Sequence, residues 1–65
     1  MSTITLVRSG DWYEAQDNDA RIVADVCGVQ LARTNSFLHA GFPVAGAESY
    51  LAKLIEAGHK AEVVS

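Results

Sequence analysis

Hydrophobic and polar residues alternate along residues 3–8, and most of the side chains there are β-branched. This period of two predicts a β-strand with Ile4 and Leu6 on one face. The next three residues, Ser-Gly-Asp, have the composition of a turn. Residues 12–16 are therefore predicted to return as a second strand and to complete a β-hairpin.

After the hairpin the apolar spacing becomes helical. The polar residues at positions 17–19 can cap a helix, and the two aspartates among them suit the positive end of the helix dipole. Gly28 stands where the left-handed residue that follows a helix is expected. The apolar stripe of this first predicted helix consists of Ala20, Val23, Ala24 and Cys27.

Two further extended segments are predicted after this helix. Residues 29–34 read as a strand with Val29 and Leu31 facing inward. Residues 37–43 form a second extended segment, which ends at the only proline of the chain. Gly41, just before that proline, is interpreted as a turn or a bulge in preference to a point of close approach to a ligand.

A second helix follows, with Gly58 as the residue just beyond its end. Residues 59–64 are predicted to form a closing strand, so the order of elements is ββαββαβ. This order predicts an α/β (α+β) fold, in which a small mixed β-sheet is covered by two helices. The apolar stripe of the second helix consists of Ala47, Tyr50, Leu51, Leu54 and Ile55.

Length and composition narrow the class of protein. A chain of 65 residues that is 49% hydrophobic is globular, and residues 1–65 are predicted to form a single domain, either free-standing or cut from a larger protein. The lone cysteine cannot form an internal disulfide, which fits a reducing, cytoplasmic location. Neither a membrane span nor a signal peptide is predicted, because no apolar run is long enough and no basic segment precedes one.

Few residues are candidates for catalysis or metal binding. The two histidines, His39 and His59, and the single cysteine, Cys27, lack the spacing of metal ligands. Asp17 and Asp19 are interpreted as helix caps and not as an acid pair, and Cys27 as a small buried hydrophobe. No nucleophile–base pair is recognisable. We therefore predict that the chain is not an enzyme and binds no metal or cofactor.

Trp12 and Glu14 are two residues apart on a predicted strand, so their side chains share a face. If Tyr13 and Ala15 point inward, Trp12 is presented to solvent beside a carboxylate and could stack on a nucleobase. In the other assignment Trp12 belongs to the core and Glu14 lies at its rim. The residues alone favour the buried assignment, because tryptophan is usually well covered in small domains.

The run Gly-Asp-Trp-Tyr-Glu at residues 10–14 resembles the Gly-Asp-Phe-Tyr-Glu motif that opens the N-terminal mismatch-recognition domain of the MutS family. Further blocks follow in the order and spacing of that family. His-Ala-Gly-Phe-Pro at residues 39–43 is similar to its Met-Ala-Gly-Ile/Val-Pro, and residues 48–54 to its Glu-Asn-Tyr-Leu-Ala-Lys-Leu. The resemblance covers roughly residues 5–64, nearly the whole chain, and implies the fold of that domain.

The resemblance also implies a function. In the family the motif's aromatic residue inserts from the minor groove and stacks on a mispaired base, and its glutamate hydrogen-bonds that base. Trp12 would then be the wedge and Glu14 the hydrogen-bonding partner, with Arg33 as the best candidate for a contact to the DNA backbone. The candidate DNA-binding residues are Trp12, Glu14, Arg33, Gly10, Asp11 and His39.

This sequence departs from the family pattern at several points. Tryptophan replaces the phenylalanine of the motif, and His39 replaces a methionine. The family's connector, lever, clamp and ATPase domains have no counterpart among the 65 residues, and the phosphate-binding Gly-x-x-x-x-Gly-Lys-Ser/Thr pattern does not occur.

Two functions are compatible with this sequence. The first is a DNA-binding module whose partners are duplex DNA with a mismatch or distortion and other domains of a larger parent protein, with weak binding in isolation. The alternative is a protein-interaction or scaffold module that keeps the fold without binding DNA. The net charge of −3 favours the alternative, because affinity for DNA depends largely on cationic side chains that neutralise phosphates.

Overall fold

The computed structural model describes residues 2–64 and contains five strands and two helices in the order ββαββαβ. The predicted α/β (α+β) architecture, a small mixed sheet with two helices, is confirmed. The elements are β1 Thr3–Ser9, β2 Trp12–Gln16, α1 Asp17–Cys27, β3 Ala32–Thr34, β4 Phe37–Pro43, α2 Ala47–Glu56 and β5 Lys60–Val64.

The strands form one sheet in the order β3-β4-β2-β1-β5. Neighbouring strands are antiparallel except β1 and β5, which are parallel. β2 and β4 lie next to each other near the middle, with Tyr13 opposite Phe42 and Ala15 opposite Ala40. Because residues directly opposite each other in a sheet point to the same side, these four side chains lie on one face.

The hydrophobic core lies between this face of the sheet and the two helices. We call it the helix-bearing face, and we call the opposite side, on which Trp12 and Glu14 lie, the open face. Phe42 is the largest fully buried side chain, and Tyr50 of α2 stacks on its ring with the centroids 4.7 Å apart. The buried hydrophobic residues are Ile4, Leu6, Ala15, Ala20, Val23, Cys27, Ala40, Phe42, Ala47 and Leu54.

α1 begins at Asp17, directly after β2, so the residues at positions 17–19 that were predicted as possible caps lie inside its first turn. No side chain among residues 2–64 caps its first turn, so the capping role predicted for Asp17 and Asp19 is wrong. The Asp19 carboxylate instead accepts a hydrogen bond from the backbone N–H of Thr5 at 3.1 Å. The pairing between β1 and β2 stops at Val7 opposite Glu14, and Asp19 supplies an acceptor to β1 beyond that point.

Both predicted helix ends are confirmed. The N–H of Gly28 donates to the carbonyl of Ala24 at 3.0 Å. At the end of α2 the N–H of Gly58 donates to Ile55 at 2.9 Å and that of His59 to Leu54 at 3.0 Å, which is the Schellman pattern.

Two inward positions were predicted wrongly. β3 is shorter than residues 29–34 and starts at Ala32, and Leu31 is 38% exposed, because residues 28–31 carry the chain from the helix layer to the edge of the sheet. Ile55 is 63% exposed. It lies about 100° around the helix axis from the fully buried Leu54, at the margin of the stripe, and a two-layer domain has no further layer to cover it.

Candidate nucleic-acid interface

Trp12 is the first residue of β2 and is 42% exposed on the open face. The inward positions of this strand are filled by Tyr13 and Ala15, and the ring of Tyr13 packs edge-on against Phe42 with the centroids 6.0 Å apart. Because successive side chains of a strand alternate between faces, Trp12 and Glu14 must face away from the helices. The assignment that buries Trp12 is therefore wrong.

The indole of Trp12 lies against Gly41 of the neighbouring strand. A Cβ atom at Gly41 would come within 2.5 Å of the indole Nε1, and closer still to the carbonyl oxygen of Tyr13. The pairing of β2 with β4 runs without interruption from Trp12 opposite Pro43 to Gln16 opposite His39. The turn or bulge predicted at Gly41 is therefore wrong, and the glycine is needed because the indole occupies the space that a side chain would take.

A short network links Glu14 of β2 to His39 of the neighbouring strand β4 and, through His39, to Thr34 of β3. The Nδ1 atom of His39 lies 3.2 Å from a carboxylate oxygen of Glu14, and its Nε2 atom lies 2.6 Å from the hydroxyl of Thr34. The side chains of His39 and Glu14 are 26% and 35% exposed. The three residues come from β4, β2 and β3, so the register of the sheet brings them together.

Gly10 and Asp11 form the turn between β1 and β2. The carbonyl of Asp11 accepts a hydrogen bond from the N–H of Val44 at 2.8 Å, and the carbonyl of Gly10 accepts one from Nε of Arg8 at 3.0 Å. The first bond ties the turn to the chain just beyond β4, and the second lies within the hairpin itself. Trp12, the first residue after this turn, consequently stands at the turn end of a braced hairpin.

A cleft of about 500 Å³ opens beside Trp12, at the part of the β4 edge that lies beyond Ala32, the first residue of β3, and has no strand partner there. Its walls are formed by the indole of Trp12, by the polar side chains of Glu14 and His39 on the open face, and by two aromatic residues at the edge of the hydrophobic core, Phe42 and Tyr50. The lining residues are Trp12, Glu14, Val29, Gln30, Ala32, His39, Ala40, Gly41, Phe42, Pro43 and Tyr50. A smaller cleft on the other flank of Glu14 is lined by Thr5, Val7, Glu14, Gln16 and Asp19.

Arg33 does not join this group. It lies opposite Leu38 in the pairing of β3 with β4, and Leu38 packs against the core. Arg33 is therefore on the helix-bearing face of an edge strand, while Trp12 and Glu14 are on the open face. The structure brings together Trp12, Glu14 and His39, with Gly10 and Asp11 at the adjoining turn, and leaves Arg33 apart from them.

Cys27 belongs to the core and not to this site. Its thiol lies 3.6 Å from the carbonyl oxygen of Tyr50, and burial raises the pKa of the thiol while nearby Lys53 acts in the opposite direction. A raised pKa keeps the sulfur protonated and unreactive, in agreement with the predicted role as a small buried hydrophobe. Among residues 2–64 no three His, Cys, Asp or Glu side chains are placed to hold a metal ion.

The sequence did not indicate Thr34 or Gly41 as parts of the site. A signal for Thr34 was present, because a two-residue loop at positions 35–36 fixes which residues of β3 and β4 face each other. For Gly41 the signal was a glycine at a strand position opposite the Trp-Tyr-Glu run.

Comparison with known proteins confirms the family resemblance seen in the sequence. The family described as MutS domain I matches residues 1–65, and the chain belongs to this family. The DNA mismatch repair protein MutS of Thermotoga petrophila is 44% identical over 61 residues, which are 94% of this chain and 8% of that protein. The MutS protein of Chlorobium limicola is 43% identical over 61 residues, covering 92% of this chain and 7% of that protein.

A more distant relative, the MutS protein of Petrotoga mobilis, is 34% identical over 61 residues. The chain thus spans 7–8% of the length of the curated relatives it matches. None of the helices formed by residues 2–64 is long and apolar enough to cross a membrane.

Proposed function

We propose that the chain is a DNA-binding module that recognises mismatched duplex DNA with its open face. Trp12 enters the minor groove as the wedge and stacks on the mispaired base, and Glu14 accepts a hydrogen bond from that base. The module binds and does not catalyse. The observation that supports this proposal best is a half-exposed tryptophan, fixed against Gly41 on a braced hairpin, with a carboxylate beside it.

The chemistry of each group suits its proposed role. Stacking of a base on an aromatic side chain is worth about 1–3 kcal/mol, and an indole offers a larger face than a phenyl ring. A carboxylate near phosphates is repelled unless it accepts a hydrogen bond, so Glu14 favours a base with a free donor. A mispaired base is displaced more easily than a paired one, which is a source of selectivity.

Binding by the isolated chain is expected to be weak. The net charge is −3, and Arg8 and Arg33 lie opposite the inward residues Tyr13 and Leu38, away from the open face. Few phosphates can then be neutralised by this face. Other domains of a larger protein are the proposed source of the missing affinity, as expected for a chain that covers a small fraction of its relatives.

The test is a titration of the chain with mismatched and matched oligonucleotide duplexes at low salt, followed by tryptophan fluorescence and amide chemical shifts. Preferential shifts with the mismatched duplex, centred on residues 10–14 and lost in Trp12→Ala, would support the proposal. Ile55→Ala is the matched control, because it removes an exposed apolar side chain from α2, on the other side of the sheet. Absence of any shift at millimolar duplex would overturn the proposal.

The alternative function, a protein-interaction module, is favoured by a different observation. Val7 of β1 and Val63 and Val64 of the edge strand β5 are exposed at this end of the sheet, and an edge strand can pair with another chain. The two functions separate in the same titration, because an interaction module leaves residues 10–14 unperturbed by either duplex.

A further inference from the structure

We propose that His39 is a positioning residue, which is itself held by Thr34 and which orients the Glu14 carboxylate so that one of its oxygens stays free for a base. This inference rests on the proposed function, because it concerns how the same open face reads a base.

The geometry fits a chain of two directed hydrogen bonds. The hydroxyl of Thr34 lies 2.6 Å from Nε2 of His39, and Nδ1 of His39 lies 3.2 Å from Oε2 of Glu14. A neutral imidazole has one donor and one acceptor nitrogen. The arrangement that satisfies all the groups has Thr34 donating to Nε2 and the Nδ1–H donating to Glu14.

This arrangement determines what Glu14 can offer to DNA. A carboxylate has two acceptor oxygens, and His39 engages only Oε2. The remaining oxygen is left to accept a hydrogen bond on the open face. Without His39 the half-exposed carboxylate would rotate among several conformations. Binding a base would then cost the conformational entropy of that side chain.

Glu14 is the charged group that faces His39. From β3 only Thr34 and Ala32 approach on this face, because Arg33 points to the other side of the sheet. From β2 the neighbours are Glu14 and the uncharged Gln16, which lies directly opposite His39. The two ring nitrogens of His39 therefore have different partners, with the Glu14 carboxylate at Nδ1 and the Thr34 hydroxyl at Nε2.

The first test needs no DNA and measures the tautomer of His39 by nitrogen chemical shifts in the full chain. The measurement is made above the pH range in which histidine is ordinarily protonated. The proposal expects a ring protonated at Nδ1, with the preference weakened in both Thr34→Val and Glu14→Gln. A ring protonated at Nε2 would overturn it, since the Nδ1 lone pair would then face the carboxylate.

The second test uses two substitutions of His39 whose amide nitrogens replace different nitrogens of the imidazole ring. The amide nitrogen of His39→Asn can occupy the place of Nδ1 and retain a donor to Glu14, whereas that of His39→Gln occupies the place of Nε2 and does not. The expected ratio of affinities for mismatched over matched duplex stays close to the native value in His39→Asn. It falls about fivefold in His39→Gln, the equivalent of one hydrogen bond. Equal ratios in the two variants would contradict the positioning role.

Failure of the proposed function gives a different result. If the native chain shows no preference for a mismatched duplex and Trp12→Ala changes nothing, the DNA-binding proposal fails. The positioning role of His39 is then tested by its tautomer alone. An Nδ1–H ring that responds to Glu14→Gln supports it, and an Nε2–H ring overturns it.

Discussion

The helix-bearing face and the open face of the sheet are made by alternate residues of the same strands, yet they have opposite properties. On the helix-bearing face β2 and β4 contribute Ala15, Ala40 and Phe42, all buried in the core. On the open face they contribute Glu14 and His39, both partly exposed, with Nδ1 of His39 3.2 Å from a carboxylate oxygen of Glu14. Substitutions on the helix-bearing face should therefore change stability, and those on the open face should change binding.

Phe42→Ala should have the largest effect of the predictions that follow from this contrast. Phe42 is fully buried between Tyr13 and Tyr50, and truncation of a buried phenylalanine costs about 3–5 kcal/mol. A domain of this size has little stability to lose, so the variant should be largely unfolded at ambient temperature. Circular dichroism during urea or thermal unfolding measures this directly. An unfolding midpoint close to that of the native chain would mean that the core is not where the structure puts it.

Gly41→Ala should show that one position on the open face behaves like a core position. The added Cβ would collide with the Trp12 indole and the Tyr13 carbonyl, and overpacking of this kind costs about 1–3 kcal/mol. Combining it with Trp12→Ala should recover part of the loss, because only the backbone collision remains. A double-mutant cycle of unfolding free energies tests the coupling, and strictly additive effects would exclude a contact between the two residues.

Asp19→Ala should have a smaller effect at the junction between α1 and the open face. Asp19 provides the acceptor for the N–H of Thr5, and loss of such a bond costs about 1 kcal/mol. Asp19→Asn keeps an acceptor oxygen and serves as the matched control. Hydrogen exchange at the Thr5 amide should be faster in the alanine variant only. Equal exchange in both variants would assign the bond no role in protecting β1.

The smallest predicted effect concerns the pH dependence of stability. Because burial raises the pKa of the Cys27 thiol in the folded chain, the unfolded chain loses this proton first as pH increases. The contribution of the protonated Cys27 thiol to the free energy of unfolding is fully present below the ordinary pKa of a thiol. It is lost as pH rises through the pKa of the thiol in the folded chain. Unfolding free energies at a series of alkaline pH values should therefore fall less steeply in Cys27→Ala than in the native chain. Parallel curves would show that Cys27 is not shielded from solvent.

The sequence alone predicted the element types and their order, because period-two and helical spacings are local properties that short segments retain. It also placed Trp12 and Glu14 on one face, since alternation along a strand needs no partner. Residues 10–14 and the later blocks were sufficient to indicate the family that comparison then confirmed. The stripe of α2 was correct for Leu54 but not for Ile55, since periodicity does not indicate how far the packed layer extends.

Only the tertiary structure decided which face of the hairpin is buried, because that depends on whether Tyr13 and Ala15 find the core. The register between β2 and β4 set Trp12 against Gly41, and the register between β3 and β4 brought Thr34 to His39 and turned Arg33 away. Register is a relation between distant segments, and a shift by one residue exchanges every inward side chain for an outward one. The pattern within each strand therefore determined which side chains share a face, while the pairing of the strands determined which residues meet in the candidate site.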